Sequence, residues 1–179
     1  AHQFRAFLDG LDEARRTWGK APTVITGDWN THTFRRGNFA ARIDDKGRLK
    51  IPNAFRALVE VQHGVDLFVT SLTGESVRVY PMPVWLALEE KLSKVPSTLP
   101  ARLKYLDRVN YYGQPAQIDT QGRVVIHPRL RESAAMSGDV DVFGQYDYLE
   151  IWNHDRFAAK LLREPFSDDD AKSLSEFGI

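Results

Sequence analysis

Laid on itself with an offset of 75 residues, the chain repeats, and no other feature constrains its fold as strongly. Ile43-Asp44-Asp45-Lys46-Gly47-Arg48 faces Ile118-Asp119-Thr120-Gln121-Gly122-Arg123. The match continues with Ile51-Pro52-Asn53-Ala54-Phe55-Arg56 against Ile126-His127-Pro128-Arg129-Leu130-Arg131, and with Asp66-Leu67-Phe68 against Asp141-Val142-Phe143. Each copy reads as a short strand, a tight turn, a second strand, a helix and a further strand pair. The first pair is predicted at residues 40–43 and 48–51. Gly47 and Gly122 suit the positive φ of the Asp-x-x-Gly turn, while the Asp44 and Asp119 side chains can accept from backbone N–H groups across it. Pro52 and Pro128 stand where a helix begins, since proline lacks a donor that the first turn would waste.

Further strands are expected at 67–70 with 77–80 and at 140–143 with 148–152, joined by turns at Thr73-Gly74-Glu75 and Gly144-Gln145-Tyr146-Asp147. Amphipathic helices follow at 84–94 and 154–162, and a helical connector at 101–110 lies after Pro96-Ser97-Thr98-Leu99-Pro100. The fold class is therefore α+β. A unit of about 45 residues is too small to bury a good core, so such units fuse or associate.

The formal net charge is zero, from 24 cations and 24 carboxylates, but the charge is uneven. Between Arg35 and Arg56 seven bases face only Asp44 and Asp45, whereas the end of the chain gathers Glu164, Asp168, Asp169, Asp170 and Glu176 against Lys172 and reads as a solvated tail. There are no cysteines, which removes disulfide and thiolate-metal chemistry. No apolar run approaches the roughly 20 residues that span a bilayer, and no signal peptide is apparent at the start. The five histidines show no metal-ligand spacing and read as surface or helix-start residues; Trp85, Trp152, Tyr111 and Tyr112 read as core or interface aromatics. No cofactor and no enzymatic activity are expected.

The segments Phe34-Arg35-Arg36-Gly37-Asn38, Ile43 to Pro52, Tyr80-Pro81, Gln117-Ile118-Asp119 with Gln121-Gly122-Arg123, and Val142-Phe143-Gly144-Gln145 with Leu149-Glu150-Ile151-Trp152 carry a family resemblance. Residues 34–162 resemble the MraZ family, bacterial regulators of the division and cell-wall gene cluster. The resemblance implies two tandem swapped-hairpin domains of the AbrB/SpoVT type, a double-split β-barrel with packing helices, each with an Asp-x-x-x-Arg motif. They are placed at residues 38–84 and 113–157, with a helical connector at 85–112 and a C-terminal helix end with acidic tail at 158–179. It also implies a ring-like homo-oligomer in the cytoplasm, associated with the nucleoid, that binds direct repeats in double-stranded promoter DNA, represses its own gene cluster and does not engage a membrane.

On that footing Arg48 is assigned to a base or backbone contact, since arginine suits bidentate contact with guanine edges, and Arg36, Arg42, Lys46 and Lys50 to phosphates. Arg123 is the matching candidate in the second motif, where Gln121 and Val125 replace Lys46 and Lys50 and thin the charge. Asp44, Gly47, Asp119 and Gly122 are motif residues that shape the turns. The alternative for both arginines is an ion pair with the aspartate four positions earlier that merely fixes the hairpin, and the two roles can coexist. The rival function is a swapped-hairpin protein-assembly module without DNA readout.

Residues 1–33 fall outside the family pattern, whose members begin with a methionine directly before the Phe-Arg-Gly-Asn segment. Here Thr33 precedes Phe34 and one extra arginine is present, so this stretch reads as a non-family extension: a fragment, a fusion or a mis-set start. Its Gly27-Asp28-Trp29-Asn30 resembles a segment of the endonuclease/exonuclease/phosphatase family. That family needs a far longer domain with further Glu, Asp and His residues, so nuclease activity is not expected.

Overall fold

The computed structural model describes residues 37–179; the extension at 1–33 and Arg36 lie outside the described residues. The first repeat runs β1 (Asn38–Ile43), β2 (Arg48–Lys50), α1 (Asn53–His63), β3 (Asp66–Thr70), β4 (Ser76–Pro81) and α2 (Met82–Ser93). A connecting helix α3 (Pro100–Tyr112) leads to β5 (Gln114–Gln117), β6 (Arg123–Val125), α4 (Pro128–Ser133), β7 (Gly138–Gln145), β8 (Tyr148–Asn153), α5 (His154–Arg163) and α6 (Asp168–Ser175). No helix among the described residues is long and apolar enough to cross a membrane.

The eight strands form one antiparallel sheet in the order β5-β3-β4-β8-β7-β1-β2-β6. Its two end strands, β5 and β6, are consecutive in the chain, and the Asp119 N–H donates to the Arg123 carbonyl at 2.9 Å, so the sheet curls into a nearly closed barrel. The repeats pair crosswise: β1 with β7, β2 with β6, β3 with β5 and β4 with β8. Leu49 faces Val124, its equivalent at offset 75, and Arg48 and Lys50 face Val125 and Arg123. On the far side Arg78 faces Glu150, its equivalent at an offset of 72. The turn before β4 is longer than that before β8, which is why the offset has shortened there. A pseudo-twofold axis therefore passes through the Leu49–Val124 and Arg78–Glu150 pairs.

One apolar core draws on both repeats. Leu49, Val124, Ile126, Leu130, Val142 and Ile151 are fully enclosed, with Phe55 set edge-on to Phe39 at 4.9 Å. Each such side chain contributes about 1.5–3 kcal/mol on burial, whereas an exposed pair such as Arg42–Asp139 contributes under about 1 kcal/mol, so apolar burial holds the halves together. A second cluster fixes α2 and α3 to the outside, where Trp85 stacks on Phe68 at 4.1 Å and packs beside Tyr80 and Val109. On the opposite flank Phe157 of α5 rests against Phe143 and Trp152.

The expected elements are present, with differences that pairing explains. β7 extends from Gly138 to Gln145 because it is bonded on both edges, by β1 and β8, leaving only Tyr146 and Asp147 to turn. Tyr146 takes a left-handed φ of 58° in that two-residue loop. The acidic tail is not featureless. Ser167 and Asp170 form a reciprocal capping box at the start of α6, and Asp168, Asp169 and Asp170 crowd its first turn, where the helix dipole favours negative charge. His127 and His154 do stand at helix starts.

Candidate nucleic-acid interface

Each Asp-x-x-Gly segment folds for a local reason. The Gly47 N–H donates to the Asp44 carbonyl at 2.8 Å, and the Gly122 N–H does the same to Asp119 at 2.8 Å, closing a four-residue turn. The fourth residue must then take a left-handed φ to rejoin the strand, and both glycines sit at φ 75°. Asp44 Oδ1 accepts from the backbone N–H groups of Lys46 and Arg48 at 3.0 and 2.9 Å, while Oδ2 accepts from Arg48 Nε at 2.7 Å. Asp119 repeats the arrangement with Gln121, Arg123 and Arg123 Nε at 2.9, 2.9 and 2.8 Å.

These bonds have electrostatic consequences. The Arg48 backbone N–H, and after it the guanidinium, hold Asp44 below the usual carboxylate range; for Asp119 the Arg123 side chain is the leading cause. A depressed folded pKa contributes stability that is complete above the unfolded value near 3.8 and disappears as pH falls through the lower folded value. Thermal melts should therefore show an acid limb below about pH 4 that becomes shallower in the double variant Asp44→Asn, Asp119→Asn. An unchanged limb would mean that other carboxylates set the acid response.

The two turns are parts of one surface. The Ile51 N–H donates to the Gly122 carbonyl at 2.9 Å and the Ile126 N–H to the Gly47 carbonyl at 2.8 Å, so each turn is pinned by the strand end of the other repeat. Because side chains alternate along a strand, burial of Leu49 and Val124 sends Arg48, Lys50, Arg123 and Val125 to the outer face. Lys50 and Arg123 are directly opposite, and Lys46 stands exposed on the first turn. The sequence assigned the two motifs separately; the β2–β6 register merges them.

The cations are not equivalent. Arg48 is held side-on through Nε, which leaves both terminal nitrogens for a bidentate partner. Arg123 meets the same oxygen of Asp119 with Nε and with Nη2, the latter at 2.7 Å, and so has less to offer. Both predicted ion pairs are formed. Arg42 points outward on β1 but is engaged by Asp139 of β7 at 2.9 Å, a pairing that needed knowledge of the crosswise register. Among the described residues no cluster of His, Cys, Asp or Glu could hold a metal ion.

Comparison with known proteins agrees with this architecture. Residues 114–177 match the family described as "MraZ protein, putative antitoxin-like", a span that includes α6 and so extends beyond the resemblance at 34–162. The chain is 45% identical over 144 residues to the transcriptional regulator MraZ of Acidobacterium capsulatum, covering 80% of this chain and 99% of that protein. It is 43% identical over 145 residues to the protein of the same name from Koribacter versatilis, again 80% and 99%. With the Escherichia coli protein it shares 31% identity over 119 residues, 66% of this chain and 78% of the relative. A duplicated swapped hairpin, two Asp-x-x-x-Arg turns on one face and relatives matched over almost their whole length lead to one conclusion: the chain belongs to the MraZ family.

Proposed function

We propose that the chain is a sequence-specific DNA-binding transcriptional regulator, not an enzyme, and that the outer face of β2 and β6 is its DNA-reading surface. One observation carries the reading: the β2–β6 register gathers Lys46, Arg48, Lys50 and Arg123 on one exposed face although the chain as a whole is neutral. Arg48, with its fork free, addresses a guanine edge, and Lys46 and Lys50 address phosphates. Arg42 and Arg36 extend the phosphate contacts; Arg42 must exchange Asp139 for DNA to do so. The relatives that match over most of their length bear the name transcriptional regulator, which supports the same reading.

In its finer form the proposal has residues 38–84 and 113–157 as the two swapped-hairpin units, joined by residues 85–112. The chain assembles into a ring-like homo-oligomer in the cytoplasm, associated with the nucleoid, and represses its own division and cell-wall gene cluster from promoter direct repeats. One face offers few phosphate contacts, so useful affinity comes from several copies engaging several repeats.

The test is binding to promoter DNA with short direct repeats against scrambled DNA at two salt concentrations, with Arg48→Ala alongside. Binding should depend on the repeats and weaken with salt, and Arg48→Ala should lose about 5- to 150-fold, the worth of one bidentate contact. Equal binding to both DNAs, or none, overturns the operator reading and leaves a protein-assembly module. Repeating the assay from Phe34 onward shows whether residues 1–33 obstruct the face.

A further inference from the structure

The turn glycines carry more than a backbone conformation. A Cβ placed on Gly47 would lie 2.5 Å from Arg131 Cδ, 2.6 Å from Nε and 2.8 Å from Cζ, and one placed on Gly122 would meet Arg56 at 2.8 Å from Cδ. Arg56 and Arg131 are equivalents in the repeat, so each hairpin turn is covered by an arginine from the helix of the other repeat. Their electrostatic situations differ. Arg56 donates through Nε to Glu60 at 2.7 Å, one helical turn on. The position matching Glu60 is Ala135, and Arg131 Nε is buried without a hydrogen-bond partner. Among the described residues no carboxylate pairs with Arg131.

A buried guanidinium nitrogen without an acceptor is costly, and it lies against the turn that presents Lys46 and Arg48. We infer that Arg131 is a further DNA-backbone contact, lent by the second repeat to the first hairpin, in which a phosphate oxygen meets the terminal nitrogens of a half-buried guanidinium whose Nε is enclosed against the turn. The inference rests on the DNA-reading face proposed above and deepens it. Three differences between the halves then favour the first hairpin, Lys46 over Gln121, Lys50 over Val125, and an Arg131 without a carboxylate over an Arg56 already paired with Glu60, and they outweigh Asp45 in place of Thr120. Arg131 would also explain why glycine is required at residue 47 beyond its φ, because any side chain there displaces the guanidinium from the turn.

The test is the salt dependence of binding to the direct-repeat duplex and to a scrambled duplex of equal length, for the full chain and for Arg131→Met, Arg131→Lys and Arg56→Met. Methionine keeps an apolar stem over Gly47 and removes the charge. Arg131→Met should weaken binding to both duplexes alike, by roughly tenfold at 0.1 M salt, and flatten the plot of log K against log salt by about 0.9 per lost phosphate contact. Arg131→Lys should keep the slope, and Arg56→Met should leave slope and affinity unchanged. Should Arg131→Met fold poorly, Arg131→Gln against Arg131→Lys makes the same comparison. A wild-type slope in the neutral variants, with Arg48→Ala still losing repeat binding, overturns the inference and reduces Arg131 to packing. Absence of DNA binding by the wild-type chain overturns the DNA-reading face itself.

Discussion

Expressed alone, the first repeat (residues 37–94) should show no folded monomer and should melt as a homodimer, with a midpoint that rises with protein concentration. The reason lies in the crosswise sheet. Separation strips β1 of β7, β2 of β6, β3 of β5 and β4 of β8, and leaves Leu49 and Val79 facing water on the edges where their partners stood. Fewer than about 60 residues with open edges cannot hold a core. A second copy restores it, because the pseudo-twofold axis becomes a true one: Leu49 would meet its own copy in place of Val124, and Val79 would meet the copy's Val77 in place of Leu149. Sedimentation across a concentration series reads the result. A stable folded monomer would show that the hairpins close on themselves and that the crosswise register is not required.

Leu49→Ala should cost about 2–5 kcal/mol, the range for a fully buried leucine, and lower the melting midpoint by roughly 5–15 °C in a chain of this size. The position has no room to relax, since Leu49 and Val124 meet at the axis and both are fully enclosed. Removing the side chain there opens a void touching both repeats, so the loss should be global and the transition should remain a single one. Denaturant titration measures it, with Arg42→Ala as a surface comparison expected to lose under about 1 kcal/mol. A loss of that small size at Leu49 would mean that the two halves are held together elsewhere.

Much of this was legible before any coordinates. The offset of 75 located the strands, the turn glycines and the helix starts because turn chemistry and proline are local constraints, readable residue by residue. The candidate cations of the first hairpin were legible for the same reason. What sequence could not supply was anything set by long-range register. That Lys50 lies opposite Arg123, that Arg42 faces Asp139, and that Arg131 covers Gly47 all depend on which repeat pairs with which. The repeat aligns Arg56 with Arg131, but their difference in pairing lies in the Glu60–Ala135 mismatch, four residues further along the chain. The capped helix α6 was missed because a run of aspartates reads as solvated unless the serine before it is noticed.

The unequal halves about the axis also bear on grammar in the operator. A true homodimer presents the same letters read from either end, and so asks for a palindrome. Fusing the halves in one chain and loading the cations onto one of them gives the molecule a front and a back. On the proposed reading, such a molecule would lie on its site in a single heading, and a row of identical readers all pointing the same way would call for head-to-tail sites rather than mirrored ones. A few differing side chains between the repeats, Lys46 against Gln121 and Lys50 against Val125 among them, would be enough to turn a symmetric clamp into an arrow.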